Sequence, residues 1–344
     1  MTLPVDDGRL SVAADIALVP ARAFAVTPVV ARIPLAPGDH VTVEPGSAVR
    51  AGEPLVERAR DAVLEQIGGR GDPGWNPGTW LPAERHGRWP IGRRSTHAGE
   101  LLFVARDHWW VATAAQHDPV EAPGDGIVRA VRPGTELELA LAGYAVPGAF
   151  AVGAPVRGRL DLGIGADGEL RAGGIDVSRE GSVLVLGPRA DAEQLIRARA
   201  MGVRGVVVAS ISQKDLRDFA ASERRQRSSA HRLTPFAVLA LEGYLRRPIA
   251  SPVRDLLAAM GGRDVAILGD PPSLLIDHPE VPDRRPAPDW VRVRHGPLAG
   301  REGRWGGAAG RRRFPAGIQL EAGFVLFEDG IPVAVPLGDL ERLV

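Results

Sequence analysis

The chain has 344 residues, with 42 basic and 42 acidic side chains and therefore no formal net charge. It contains no cysteine, which excludes disulfide bonds, thiolate catalysis and cysteine-ligated metal or iron–sulfur sites. Lys214 is the single lysine, so any lysine-linked cofactor would have to be attached there. A neutral chain is not expected to coat nucleic acid or anionic membrane with its whole surface, although a local basic patch is compatible with this balance.

No apolar run reaches the roughly 18 residues of a membrane span, and the first residues lack the pattern of a secretory signal. We therefore expect a cytoplasmic protein that does not bind membranes. The length predicts two or three domains.

Short strands separated by tight turns are predicted for residues 22–60, where glycines recur at nearly even spacing. Residues 57–67, which begin at the end of this part, have the apolar spacing of a helix. Residues 68–97 are rich in Gly and Pro and are expected to form an ordered loop. Residues 101–115 predict a strand or a strand pair, and residues 120–143 return to short strands with regular glycines.

The middle of the chain changes to an alternation of strands and helices, which predicts an α/β module with right-handed crossovers. Asp191 is suited to cap the first of these helices. Ser251 is expected to cap a later helix, with Pro252 in its first turn. The basic run at residues 222–232 has no apolar period and predicts a solvated loop, or else a contact with a phosphate or an acidic partner.

From Trp290 onward the pattern is all β again, after a Pro-rich linker. The stretch from Trp290 to Arg313 contains one acidic residue, Glu302, and seven arginines: Arg292, Arg294, Arg301, Arg304, Arg311, Arg312 and Arg313. Arginine recognises phosphate with two parallel hydrogen bonds, so these residues are candidates for contact with RNA. Contact with a partner protein explains the same pattern, and the sequence leaves both open.

Five of the seven tryptophans lie close together, at Trp75, Trp80, Trp89, Trp109 and Trp110. Large aromatic side chains ordinarily bury themselves against neighbouring strands. They are also candidate anchors for a partner protein, because Trp and Arg are enriched at interfaces. Stacking on single-stranded bases is a third interpretation.

Motifs for catalysis or cofactor binding are weak. Residues 163–168 read GIGADG, but the residues that follow lack a helical period, which favours a glycine-rich hairpin over a dinucleotide site. The eight histidines have no metal-ligand spacing. We expect no catalytic residue, no cofactor and no metal.

Two segments are similar to a known β fold. Residues 41–57, VTVEPGSAVRAGEPLVE, resemble the first half of a biotinyl/lipoyl-type barrel-sandwich hybrid domain. Residues 120–143 resemble its second half, entered through Ala122, Pro123, Gly126 and Val128. Carrier domains hold their modified lysine between the halves, where this chain has a Trp-rich insertion at about 58–118 without lysine. The resemblance therefore implies the fold in a non-carrier, architectural role.

The C-terminal segment resembles KOW-type SH3-like barrels of ribosomal proteins and transcription elongation factors. The residues that carry this resemblance are Val291, Val293, Gly296, Pro297, Leu298, Gly300, Glu302 and Gly303. In that family the glycines allow tight turns, and a loop is presented to RNA or protein. Trp305 departs from the pattern, which more often has a β-branched residue there. The middle module is similar, at the level of fold alone, to swivelling-type domains.

The sequence thus predicts an α+β, multi-domain protein. Its expected parts are a split barrel-sandwich hybrid (1–178), a swivelling-like α/β module (179–278), a linker (279–289) and a KOW/SH3-like β-barrel (290–344). The predicted function is a non-catalytic scaffold or adaptor that docks onto a protein assembly, with RNA as a candidate component, through the C-terminal barrel and the Trp/Arg-rich insertion. The alternatives are an accessory subunit of an enzyme complex, and a self-assembling homo-oligomer that pairs exposed strand edges.

Overall fold

A computed structural model of the chain describes residues 14–35, 39–59, 64–68, 80–81, 99–105, 108–113, 117–163, 175–228, 234–280, 285–315 and 317–344. Within these residues the chain forms several β-sheets and three α-helices, so it is mostly β with a smaller helical part. The coarse prediction of an α+β chain with more than one compact unit is confirmed.

The chain divides into two compact units. The major unit holds the described residues within Met1–Ile33, Pro123–Ile127 and Glu138–Val344. The minor unit holds those within Pro34–Ala122 and Val128–Leu137. Since the chain enters and leaves the minor unit more than once, neither unit is a contiguous segment.

The first ten strands are short. They are β1 (Ala21–Arg22), β2 (Val29–Pro34), β3 (His40–Val41), β4 (Ala48–Val49), β5 (Pro54–Ala59), β6 (Leu64–Gly68), β7 (Trp80–Leu81), β8 (Gly99–Ala105), β9 (His108–Thr113) and β10 (His117–Glu121). In the minor unit, β5 lies between β10 and β3 in an antiparallel sheet. A second sheet has the order β6-β9-β8-β7, and its β8–β9 hairpin is the strand pair predicted for residues 101–115.

The helix predicted over residues 57–67 is wrong, because the described residues of this segment belong to β5 (through Ala59) and β6 (from Leu64). Glu57 pairs with Pro119 on one side and with His40 on the other, and Leu64 pairs with Ala112. Backbone pairing within the sheets therefore outweighs the helical spacing of this segment.

The next eleven strands are β11 (Gly126–Arg132), β12 (Glu136–Leu141), β13 (Tyr144–Pro147), β14 (Phe150–Gly153), β15 (Val156–Leu162), β16 (Ser182–Val185), β17 (Arg189–Ala190), β18 (Gly205–Ile211), β19 (Ala237–Gly243), β20 (Asp264–Gly269) and β21 (Pro272–Ile276). The helices are α1 (Ala192–Ala200), α2 (Gln213–Ser228) and α3 (Ser251–Ala259), and single turns of 3-10 helix lie at Ala14–Leu18, Val177–Arg179 and Leu337–Asp339.

A nine-stranded sheet dominates the major unit, with the order β13-β21-β20-β15-β16-β18-β19-β14 and β17 beside β18. Strands β15, β16, β18 and β19 run parallel. The residues of β16, β18 and β19 are all buried, as expected when helices cover both faces. Helices α1 and α2 cover one face, where Leu195 and Phe219 pack on Val206, and α3 covers the other through Leu256 and Leu257.

The alternation predicted for the middle of the chain is confirmed by the order β16, α1, β18, α2, β19, α3, β20. Asp191 caps α1, since its carboxylate accepts from the Gln194 amide at 2.8 Å and its own amide donates to the Gln194 side chain at 3.0 Å. Two details differ. The basic run continues α2 as far as Ser228, and Ala250 rather than Ser251 is the N-cap of α3.

The C-terminal sheet contains β22 (Trp290–Val293), β23 (Glu302–Arg313), β24 (Gln319–Leu326), β25 (Pro332–Pro336) and β26 (Leu340–Leu343). Its order is β1-β26-β22-β23-β24-β25. Strands β22 to β25 form an antiparallel meander, and β26 returns to pair with β22 on one side and with β1 on the other. Its core includes Val291, Trp305, Val325 and Leu340, with Val19 from the N-terminal segment.

The structure groups the chain differently from the expected domains at two places. Strands β13, β14 and β15, expected in the first domain, pair with β21, β19 and β16 of the nine-stranded sheet. Residues 14–22, also expected there, complete the core and one edge of the C-terminal sheet. Local sequence patterns do not encode which distant strand each of these segments pairs with.

Candidate partner-binding hairpin

The outer part of the β23–β24 hairpin, residues 310–321, is here called the arginine hairpin. Its register places Arg311 opposite Glu321, Arg312 opposite Leu320 and Arg313 opposite Gln319. At its end the Phe314 amide donates to the Ile318 carbonyl at 2.9 Å. Every described residue of the arginine hairpin except Phe314 is exposed, so it extends beyond the core.

Two irregularities lie where the arginine hairpin leaves the sheet. The register shifts between Trp305 and Ala308, and again between Ala308 and Gly310. Gly307 (φ 102°) and Gly310 (φ 66°) adopt left-handed backbone conformations at these bulges. Bulges bend a hairpin and redirect its side chains, so the sequence Gly-Gly-Ala-Ala-Gly sets the direction of the arginine hairpin.

Arg311, Arg312 and Arg313 are exposed and have no ion pair with any carboxylate in the part of the chain that the structure describes. Arg312 has two local contacts. Its Nε donates to the Ala309 carbonyl at 2.9 Å, and its guanidinium lies 5.5 Å from the centre of the Phe324 ring. These contacts position the Arg312 guanidinium, and the residue remains exposed.

Arg292, expected to contact a partner, has a different role. Its side chain is 0% exposed, so it cannot bind a partner at the surface. It donates to Glu242 (Nη2 to Oε2, 2.5 Å), and its Nε lies 3.1 Å from Glu341 Oε1. The alternation Val291-Arg292-Val293 suggests a solvated face for Arg292, but the structure buries both faces of β22.

Three other arginines of the predicted set have side chains that are 41–69% exposed and lie near carboxylates within the protein. Arg294 is 3.7 Å from Glu341 and Arg304 is 3.7 Å from Asp289. Arg301 is 3.7 Å from Asp329, and its guanidinium stacks 4.1 Å above the Phe327 ring. Exposed pairs of this kind contribute little to stability, so these three remain accessible to a partner.

Trp305 anchors the base of the hairpin. Its ring packs directly on Gly323, where a Cβ would lie 2.0 Å from Trp305 Cζ3. Its Nε1 donates to Asp15 Oδ1 at 3.0 Å, and Asp15 Oδ2 accepts from the Ala308 amide at 2.6 Å. The hydrogen bond from Trp305 is the largest cause that holds the pKa of Asp15 below its ordinary value.

A buried ionic cluster joins the C-terminal sheet to the nine-stranded sheet. It consists of Arg22, Glu242, Arg292 and Glu341, here called the arginine–glutamate cluster. Arg22 Nη2 lies 3.1 Å from Glu242 Oε1. Arg247 donates to the main-chain carbonyls of Glu242 (2.7 Å) and Arg294 (3.1 Å).

Charge and hydrogen bonding stabilise the ionised form of Glu242. Burial alone would raise the pKa of Glu242, but the nearby charges and hydrogen bonds of Arg292 and Arg22 outweigh it and lower that pKa below its ordinary value. Glu242 was not among the candidate residues predicted from the sequence. The available signal was a single charge in the otherwise apolar strand AVLALEG, since buried charges are almost always paired.

The tryptophans expected to anchor a partner are only partly described. Trp75 and Trp89 lie outside the described residues. Trp80 lies on β7 and Trp109 on β9, while Trp110 is half-buried between Gln66 and Phe103 on the neighbouring strands. The tryptophans of β7 and β9 thus belong to one sheet, and their use as anchors stays a prediction.

The structure also locates the lysine and the metal-ligating residue types. Lys214 lies in the first turn of α2, with its Nζ 4.0 Å from Asp218. In the ranges that the structure describes, no three His, Asp or Glu side chains converge as a metal site would require. Among the described helices none is both long and apolar enough to cross a membrane. The GIGADG motif lies outside the described residues beyond its first glycine.

In comparisons with known proteins, the chain matches no protein-family model and no curated protein sequence.

Proposed function

We propose that the protein is a non-catalytic, cytoplasmic scaffold that docks onto an RNA-containing assembly through the arginine hairpin. The C-terminal arginines differ in what they contact, and this difference supports the proposal. Four of the seven lie against carboxylates of the protein, whereas three consecutive ones project from an exposed hairpin: Arg311, Arg312 and Arg313.

The arrangement on the hairpin favours a polyanion over a flat acidic protein surface. Alternation along β23 places Arg311 and Arg313 on one face, roughly 6.7 Å apart along the strand, and Arg312 on the other face. A strand of phosphates can pass around the edge of a hairpin and contact both faces, whereas a flat surface contacts one. Each guanidinium can then bind phosphate through two hydrogen bonds.

The finer fold assignments are part of the proposal. A meander whose last strand returns to its first strand around one core supports an SH3-like, KOW-type barrel for the C-terminal sheet. The pairing of β5 with β10 brings together the two segments that resemble halves of a barrel-sandwich hybrid. The parallel strands flanked by helices support a swivelling-like module.

Binding to RNA should depend strongly on salt and should weaken when the hairpin loses its charges. The test is the anisotropy of a labelled oligouridylate of about 12 nucleotides, titrated with the full chain between about 50 and 200 mM salt. For R311A/R312A/R313A we expect roughly 10- to 50-fold weaker binding at physiological salt, and a salt slope shallower by about 2, because three phosphate contacts are lost.

The matched control is R197A/R217A/R254A, which removes the same charge from exposed positions on α1, α2 and α3. It should bind RNA as the wild type does. If both triple variants lose the same amount of RNA affinity, the loss comes from net charge and not from the arginine hairpin. If the wild type binds no RNA at any salt concentration, the RNA contact is refuted.

A further inference from the structure

An exposed aromatic stack lies at the end of β19. The rings of Tyr244 and Phe150 are 4.6 Å apart between centres, with an angle of 24° between their planes. Phe150 lies on β14 and packs on the core beneath α1 and α2, so it supports the tyrosine from the protein side. Gly243 (φ 97°) turns the chain out of the strand, and Tyr244 remains 50% exposed. The tyrosine ring thus has a fixed support and a free surface.

An exposed cationic side chain lies two residues after the tyrosine. Leu245 is 58% exposed, and Arg246 is exposed beside it. The tip formed by residues 244–248 lies at the carboxyl end of β19, one of the parallel strands. The carboxyl ends of parallel strands are where open α/β sheets bind their ligands.

The same tip contacts the loop between β22 and β23, where two arginines of the predicted set lie. Arg247 Nη1 donates to the Arg294 carbonyl at 3.1 Å. Pro248 packs against Gly300, where a Cβ would lie 2.8 Å from Pro248 Cδ. The side chains of Arg294 and Arg301 are 41% and 47% exposed. The supported tyrosine is therefore joined to a loop with accessible guanidinium groups.

We propose that Tyr244 is a stacking platform for a base of single-stranded RNA, and that Arg246 and Arg294 contact the phosphates beside that base. This rests on the function proposed above and adds a base-stacking site to the phosphate contacts of the arginine hairpin. Stacking on an aromatic ring tolerates every base, and arginine beside the ring supplies charge. The exposed Arg246, two residues after the ring, adds a cation to the aromatic surface, which favours a ligand with both rings and phosphates.

The experiment compares two probes, an oligouridylate of about 12 nucleotides and an abasic ribose-phosphate chain of the same length. Anisotropy titrations use the full-length wild type, Y244A, Y244F and the control L245A. We expect the wild type to bind the oligouridylate about tenfold more tightly than the abasic chain. In Y244A this ratio should fall to about one, whereas Y244F and L245A should keep it, because the phenyl ring of Y244F still stacks and Leu245 is not the platform. Unchanged thermal unfolding of Y244A would exclude a folding defect.

Each outcome separates the stacking site from the arginine hairpin. A wild type that binds both probes equally, or a Y244A variant that keeps the full preference for the oligouridylate, would overturn the stacking site and leave the hairpin proposal standing. If R311A/R312A/R313A binds both probes like the wild type while Y244A loses the preference, the stacking site stands and the hairpin proposal is wrong. A wild type that binds neither probe overturns both.

Discussion

Trp305 shows how one residue pair sets the packing of a small sheet. A tryptophan is larger than the β-branched residue that the KOW pattern favours at this position, and the space for it comes from Gly323 on β24. The indole is 7% exposed and uses its only donor on Asp15, so the extra volume adds burial without leaving a polar group unpaired. The large ring of Trp305 and the missing side chain at Gly323 thus fit each other.

Replacing Gly323 by alanine should therefore lower the free energy of unfolding by about 1–3 kcal/mol, because the new methyl group overlaps the Trp305 ring. Gly338→Ala is the matched control, since a Cβ there has no heavy atom within 4 Å. It should change stability by less than about 0.5 kcal/mol. Urea unfolding followed by tryptophan fluorescence measures both, and equal midpoints for the two variants would contradict this packing.

At the scale of elements, the N-terminal segment fixes the base of the β23–β24 hairpin. The 3-10 turn Ala14–Leu18 brings Asp15 to the bulge at Ala308, and β1 adds an edge strand beside β26. A carboxylate that accepts from both an indole and a main-chain amide holds the bulge in one geometry. The direction of the arginine hairpin therefore depends on a residue at the opposite end of the chain.

Asp15→Asn should loosen this bulge, because the amide has one acceptor oxygen where the carboxylate has two. We expect a loss of about 1 kcal/mol in stability and faster hydrogen exchange at the Ala308 amide. The pKa of Asp15 is lowered in the folded state, so its contribution is present above the unfolded pKa of about 4 and is lost as the pH falls below it.

The control is Asp218→Asn, which removes an exposed carboxylate 4.0 Å from Lys214. It should leave both stability and exchange at Ala308 unchanged. Exchange at Ala308 that is equally slow in Asp15→Asn and in the wild type would show that the bulge is held by the strands alone.

Elements with local signals could be predicted, and pairings between distant segments could not. The Asp191 cap and the apolar period of α1 lie within a few residues of each other, and α1 could therefore be predicted from the sequence. Arg292 shows the limit. Between Val291 and Val293 it resembles the solvated half of a strand, but β22 packs on both faces, and its partner Glu242 lies 50 positions earlier.

On the scale of the whole molecule, the arginine–glutamate cluster makes three separate parts of the major unit depend on one another. Arg22 lies on β1, Glu242 is the penultimate residue of β19, and Arg292 and Glu341 lie on β22 and β26. The two arginines and the two glutamates of the cluster carry equal and opposite charge. Buried charges need such partners, because moving a charge out of water costs free energy. The C-terminal sheet is thereby fixed to the nine-stranded sheet within this unit.

Glu242→Gln should destabilise the major unit by about 3–5 kcal/mol, since it leaves the buried Arg292 without its closest carboxylate. The pKa of Glu242 is lowered on folding, so its stabilisation is present above its unfolded pKa of about 4.3 and is lost as the pH falls. Stability should therefore decline more steeply below about pH 4.5 in the wild type than in Glu242→Gln.

Glu328→Gln, at an exposed position after β24, is the control and should unfold like the wild type at every pH. Chemical unfolding measured across a pH series tests both variants. Identical pH profiles for Glu242→Gln and the wild type would mean that the ionised carboxylate does not stabilise the fold.

The parallel pairing of β1 with β26 has a consequence for how the protein is made. Ala21 pairs with Arg342, and the Arg342 side chain donates to the Val19 carbonyl, 323 positions earlier. A ribosome releases the first of these segments long before it has synthesised the second. During translation the N-terminal segment therefore stays without its partner strand until β26 has been synthesised, and the core that Ile16 and Val19 share with Leu340 is completed only then.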